Sequence, residues 1–433
     1  MARQPTESLG GRYAKLWAAS SASALGSGLA TIAAPLFIAS RTHDPLVVSA
    51  AFGASWLPWL LFALPGGVLV DRVDRRRLMV VIDWSRVVVM GVLGAAMLTG
   101  RASIGLLYVV LFLINTGEIL FRSASQAMIP AVVPRSRLER ANGWLAGGTV
   151  LMQSMVAGPL SGLLFVIAAA IPFLVNAGTY AASAILIGLV AGSYRADRPA
   201  GDAGNHTERK SVRADLVEGL RWLGKQRLLR TMAVLIGLLN VTLTGAMALL
   251  VLLARERLGV GSVGYGLLFT CLAAGGILGS LFGDRLIALV TASWTIRIGL
   301  LIETGIYLVL ATSRSAYVVG AAFFLFGVHG GLWTIASSSL RQRLTPPDML
   351  GRVGSSNLFI VAGGNCFGAL LAGAIAGQFG ITAPYWVGLV VAAIVTASTW
   401  RVFNRAAVAA AYATPAPAAD PADQAEPTGA IPA

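Results

Sequence analysis

Gly66-Gly67-Val68-Leu69-Val70-Asp71-Arg72-Val73-Asp74-Arg75-Arg76-Arg77 and, far downstream, Gly279-Ser280-Leu281-Phe282-Gly283-Asp284-Arg285 are two versions of one polar signature, each closing a long apolar run. A second hinge repeats as well. Pro134-Arg135-Ser136-Arg137-Leu138-Glu139-Arg140 aligns with Pro346-Pro347-Asp348-Met349-Leu350-Gly351-Arg352. The offsets agree, 284 − 71 = 213 and 346 − 134 = 212, so the chain reads as one six-span module used twice in the same orientation.

The solvent for that repeat is lipid. Apolar residues make up 56% of the 433 and charged residues only 12%, too few charges to coat a soluble protein of this size. Inside a bilayer only helices and closed barrels satisfy their own backbone, and apolar runs of about 20 residues are helix length rather than the roughly ten of a barrel strand. The fold class expected is an all-α membrane protein of twelve transmembrane helices in two pseudo-symmetric six-helix bundles. Spans are placed near 14–40, 46–70, 78–99, 103–128, 139–166, 170–192, 230–253, 263–289, 292–312, 316–340, 351–378 and 382–404. This divides the chain into a first bundle (1–192), a polar linker (193–229), a second bundle (230–404) and an Ala/Pro-rich tail (405–433) that is expected to be disordered. Within the linker, Val212, Leu216, Leu220 and Leu223 share one face, which predicts an amphipathic helix on the membrane surface.

The net charge of +14 is distributed by side, not gathered in a patch. Counting spans from a cytoplasmic N-terminus, one side collects Arg3, Arg12, Lys15, Arg72 to Arg77, Arg135, Arg137, Arg140, Arg195 through Arg230, Arg285, Arg297, Arg341, Arg343, Arg352, Arg401 and Arg405. The other side holds Arg41, Arg101, Arg255, Arg257 and Arg314. That asymmetry puts both termini in the cytoplasm of a cell-membrane protein and argues against a nucleic-acid partner. Cys271 and Cys366 lie inside apolar spans with no metal-ligand spacing, so no metal is expected. The first apolar run is too long for a cleaved leader and reads as a retained helix.

The run from Gly67 to Arg76, placed directly after the second span and echoed after the eighth, resembles the loop signature of the major facilitator superfamily. Phe121-Arg122-Ser123-Ala124-Ser125-Gln126 with Ala141-Asn142-Gly143 is similar to the branch of siderophore and drug exporters that includes enterobactin and macrolide efflux proteins. The resemblance implies a conformational latch made by Gly67, Asp71, Arg72, Arg75, Arg76, Asp284 and Arg285, with the arginines also facing lipid phosphates. Gly158, Pro159 and Gly162 in the fifth span resemble the superfamily's antiporter motif, although Ser161 stands where a glycine is expected; a packing kink is the alternative.

Charges at membrane depth are costly and therefore informative. Glu118 and Arg122, four residues apart on one face of the fourth span, are the leading proton-coupling pair, since the resemblance places that span at the central cavity. His329 and Glu303 follow as further candidates, Glu303 ranked lower because the family places the ninth span at the periphery. Asp83 and Arg86 are expected to support the Asp71 loop. Gly26-Ser27-Gly28 lacks the acidic residue that relatives often carry in the first helix, which puts more weight on Glu118. Asn115, Trp56, Trp59, Gln153, Asn240, Trp333 and Asn365 are cavity candidates, with helix-to-helix bonding as their commoner use. No phosphate-binding loop is present and no cofactor is expected, because Gly224-Lys225-Gln226 lacks the needed glycines and hydroxyl. The expectation is a monomeric, non-enzymatic secondary transporter that exchanges a small hydrophobic or amphipathic compound for protons. An uptake symporter, a lipid flippase or a transport-silent receptor on the same fold are the alternatives.

Overall fold

The computed structural model describes residues 9–70, 72–192, 194–195, 212–346 and 349–400. Every regular element among them is helical. The membrane helices, numbered as spans, are Gly11–Arg41, Pro45–Val70, Arg75–Leu98, Ile104–Val132, Leu138–Ile167 and Ile171–Gly188, then Arg227–Glu256, Ser262–Leu281, Ala292–Thr312, Ala316–Leu344, Leu350–Phe379 and Ala383–Thr399. Eleven are long and apolar enough to cross a bilayer; Ala383–Thr399 is shorter but apolar. Val81, Val88 and Val92 remain exposed along the third span, which is the pattern of a lipid-facing stripe.

The packing repeats as the sequence does. In the first half the first and third spans pack on the sixth, and the second and third on the fourth. In the second half the seventh and ninth spans pack on the twelfth, and the eighth and ninth on the tenth. The halves exchange partners reciprocally: the second span lies along the eleventh, and the eighth along the fifth. These paired contacts are the two-module pseudo-symmetry that the sequence offset predicts.

Local sequence explains where the helices begin and bend. Asp74 caps the third span, its carboxylate accepting from the Arg77 amide at 2.8 Å, and Ser103 caps the fourth by accepting from the Leu106 amide at 3.1 Å. The eighth span is shorter than expected: it stops at Leu281, and a separate helix, Gly283–Val290, follows. The fifth span carries a π-helical turn at Leu151–Val156, which the sequence reading did not anticipate. Its cause lies just downstream. Pro159 has no N–H for the Met155 carbonyl four residues earlier, and that oxygen accepts instead from Thr270 of the eighth span at 3.4 Å.

Among the described residues the seam between halves is tight toward one face. Near the face opposite the chain ends, a Cβ at Gly158 would lie 2.6 Å from the Gly266 carbonyl oxygen, so the fifth and eighth spans meet backbone to backbone. There too His43 meets Glu256 at 3.1 Å, and Arg255 donates to the Leu36 carbonyl at 3.4 Å. One buried cluster runs across both halves through Ala30 to Ala39 and Leu249 to Ala254. Toward the chain-end face the first half keeps a separate cluster of its own, around Leu16, Met79, Phe121 and Met128.

The linker helix Val212–Lys225, expected to lie on the membrane surface, packs on the start of the eleventh span. Gly219 permits the approach, since a Cβ there would meet the Arg352 carbonyl and the Ser356 hydroxyl, each at 2.5 Å. Glu218 pairs with Arg352 at 3.0 Å. Both partners are about a third exposed, so the pair contributes at most about 1 kcal/mol and the glycine fit matters more. Gly219→Leu is expected to lift this helix and to speed its amide exchange about tenfold, with the membrane spans unchanged, in a hydrogen-exchange experiment.

Candidate functional site

Glu118 is fourteen residues from either end of the fourth span, about 21 Å from each and so near mid-membrane. Its carboxylate accepts from the Ser27 hydroxyl and from an Arg86 guanidinium N–H, both at 2.9 Å. Arg86 is almost fully buried, and its two terminal nitrogens also donate to the Asp83 carboxylate at 3.3 Å, the Ser23 hydroxyl at 3.2 Å and the Ile114 carbonyl at 3.2 Å. Its guanidinium lies 4.9 Å over the Tyr180 ring, and the Tyr180 hydroxyl is 3.2 Å from that of Ser27. Four spans therefore converge on one cation.

The expected Glu118–Arg122 pair is replaced by Glu118–Arg86. Spacing along one helix finds groups on a shared face, but a neighbouring helix delivers Arg86 directly to the carboxylate, while Arg122 stays exposed on the cavity wall. Asp83 and Arg86, expected to support the Asp71 loop, are buried beside Glu118. A missed signal was available in Gly117. A Cβ there would lie 2.7 Å from Arg86 Nε, so the glycine makes the room that the arginine fills.

Glu118 forms part of the wall of a cavity of about 250 Å³ bounded by the first, second, fourth and fifth spans. Trp56, Trp59, Asn115, Arg122 and Gln153 also line it, the two indoles 6.3 Å apart. A second cavity, about 260 Å³, lies in the other half and gathers Asn240, Glu303, His329 and Trp333. Glu303, ranked as peripheral from sequence, is thus a cavity residue. Asn365 lines neither cavity; buried, it accepts from the Thr244 hydroxyl at 2.6 Å and ties the seventh span to the eleventh.

The two halves solve one packing problem in opposite ways. In the first, Arg86 of the third span fills the notch at Gly117 of the fourth. In the second, the residue 213 beyond Arg86 is Gly299 and the residue 212 beyond Gly117 is His329, whose ring occupies the place of a Gly299 Cβ. The large polar side chain has changed helices.

Of the latch candidates, Asp71 and the Asp284 side chain lie outside the described residues. Gly67 is in the last turn of the second span, and Arg72 and Arg285 are exposed. Arg75 donates to the Ala127 carbonyl at 3.1 Å; Arg76 donates to Ile187 at 3.2 Å and also to Gly188, two of the last carbonyls of the sixth span. Basic side chains there complement the negative end of a helix. Asp74, a residue the sequence reading gave no role, binds the Tyr194 amide at 2.8 Å and so anchors the exit of the sixth span. Gly158 and Gly162 sit at the seam, where Ser161 donates to the Leu29 carbonyl at 2.9 Å and binds the fifth span to the first.

Comparison with known proteins agrees with this architecture. The family described as transmembrane secretion effector matches residues 10–425. Macrolide efflux protein A of Streptococcus pyogenes is 26% identical over 31% of this chain and 33% of its own length. An uncharacterised transporter of the major facilitator type from Mycobacterium bovis is 33% identical over 30% of each chain. These curated relatives are thus matched over about a third of their length. Among solved structures, the nucleoside transporter NupG superposes with a TM-score of 0.71 at 12% identity, covering 91% of this chain and 100% of the other. A bacterial homologue of the iron transporter ferroportin in an inward-facing state gives 0.68 at 16% identity, covering 92% and 100%. With the repeated six-span modules, their reciprocal seam and a match over nearly the whole chain, this multi-pass membrane protein belongs to the transmembrane secretion effector family of the major facilitator superfamily.

Proposed function

We propose that the chain is a secondary transporter of the cell membrane that exports a small hydrophobic or amphipathic compound in exchange for protons, as a monomer with both ends in the cytoplasm. The observation that carries this reading is Glu118 at mid-membrane, in a cavity wall, bound to Ser27 and Arg86. Two carboxylates, Asp83 and Glu118, share the single guanidinium of Arg86. With both ionised the trio carries one negative charge, which a proton at Glu118 removes. Protonation weakens the 2.9 Å pair with Arg86 and leaves the cation to Asp83 of its own helix, so proton occupancy decides whether this charge pair ties the third span to the fourth. A substrate entering beside Glu118 then competes with that proton.

A seam closed at one face supports alternating access, because rocking exchanges which face is joined. Gly67, Asp71, Arg72, Arg75, Arg76, Asp284 and Arg285 would latch the chain-end face in the alternate state. Export rather than import is supported by the efflux relative and by the Gly158-Pro159 motif at the seam.

Uptake of ethidium and of a macrolide into everted vesicles, with and without an uncoupler, tests the reading. Glu118→Gln is expected to lower uncoupler-sensitive transport at least about tenfold at normal expression, in the range lost with a positioned proton-transfer group. Unchanged transport by Glu118→Gln removes the coupling assignment, and accumulation only in right-side-out vesicles reverses the direction.

A further inference from the structure

The cavity in the second half differs from the first in one decisive respect. Glu303 is 6% exposed, sits near the middle of the ninth span, and has no hydrogen-bond or ion-pair partner among the described residues. Among the described residues no lysine or arginine lines that cavity, whereas Arg122 lines the first and Arg86 neutralises its carboxylate. An unpaired carboxylate at membrane depth is stable only when a proton or a cation joins it.

The surroundings choose between kinds of cation. His329, held in the notch at Gly299 one helical turn from Glu303, lies between Phe326 and Trp333 with ring centroids 6.0 and 6.1 Å away. Leu235, Leu239, Leu243 and Leu300 complete the wall. The oxygen ligands are few: besides the Glu303 carboxylate, the described lining offers one amide oxygen, of Asn240, and one hydroxyl, of Thr334, short of the roughly six to eight that a calcium ion takes. A hydrated metal ion would find too few oxygen ligands here, while an organic cation would meet aromatic faces and alkyl surface. At about 260 Å³ the cavity is smaller than a pocket that encloses a whole drug-sized molecule.

We propose that the cavity of the seventh, ninth and tenth spans is a second ligand site, taking the positively charged, hydrophobic end of an organic monocation with Glu303 as its counter-ion. This rests on the transporter reading for its purpose, but not on Glu118 as the coupling group. A ligand with its cationic end here and its remaining body toward the first half would bridge both modules, which is how a ligand can respond to their rocking.

Dicyclohexylcarbodiimide, which attacks protonated carboxyls in apolar surroundings, provides the test on the purified full-length protein. Labelled peptides are mapped by mass spectrometry, with benzyltrimethylammonium as the cationic probe and phenylmethanesulfonate as an anion of similar size. The Glu303 peptide is expected to label, and near-saturating cation to slow that labelling about tenfold while the anion leaves it unchanged. Glu303→Gln should abolish label at that peptide alone. Absence of label on Glu303, labelling indifferent to the cation, or equal protection by the anion each overturns the site. Because the readout is local to one peptide, it stays separate from the vesicle assay: loss of coupling at Glu118 leaves it unaltered, and its failure leaves the export reading standing.

Discussion

Arg86→Met is expected to be the most damaging single substitution in the membrane core, lowering stability by about 3–5 kcal/mol, the range seen when one member of a buried ion pair is removed. The size of the effect follows from what stays behind. Asp83 and Glu118 would lose their shared cation, Ser23 and the Ile114 carbonyl would lose a donor, and the volume beside Gly117 would be filled by a side chain unable to reach any of them. Thermal unfolding of the detergent-purified protein, followed by intrinsic fluorescence, measures the loss. The discriminating comparison is the triple variant Asp83→Asn, Arg86→Met, Glu118→Gln. With the charges removed together, most of the lost stability is expected to return, because desolvation of the ions disappears along with their attraction. On the proposed coupling through Glu118, transport should not return. A single Arg86→Met variant that melts with the wild-type protein would mean that the cation does not hold these four helices together.

How much of this was legible in the sequence differs between features for physical reasons. Span number, the repeat and its offset were readable because a bilayer enforces long apolar runs whatever their neighbours do. Glu118 was readable because a carboxylate stands out in such a run. Its partner was not. Arg86 is 32 residues away in sequence, and which face of the third span meets the fourth depends on helix rotation, which the apolar pattern of a lipid-exposed helix specifies poorly. Glu303 was underrated because the ninth span was judged by its place in the family rather than by the notch at Gly299, which admits His329 and opens the cavity beside it. Asn365 was misplaced because an amide in an apolar helix serves equally for a ligand or for a neighbouring hydroxyl, and Thr244 supplies the hydroxyl. The π-turn could have been suspected from Pro159, but Thr270, whose hydroxyl donates to the freed Met155 carbonyl, lies in the other module.

Gly266→Val is expected to displace the resting equilibrium between the two ends of the transporter. The side chain would enter the space held by the Gly158 carbonyl, and backbone on both sides leaves neither span a flexible atom to move. Overpacking of this kind costs about 1–3 kcal/mol, and the strain exists only in the state whose fifth and eighth spans are joined. Strain confined to one state is a population shift, here about 5- to 150-fold toward the state with that seam open. Spin labels at Arg101 and Arg314, on exposed loops at the joined face, should report longer distances in the variant, and labels at Glu139 and Arg285, near the chain-end face, shorter ones. The background requires Cys271 and Cys366 to be replaced, as both are free thiols. Gly178→Val is the matched control, because a Cβ at Gly178 meets nothing within 4 Å. Identical distance distributions for Gly266→Val and the control would show that the two modules do not rock about this seam.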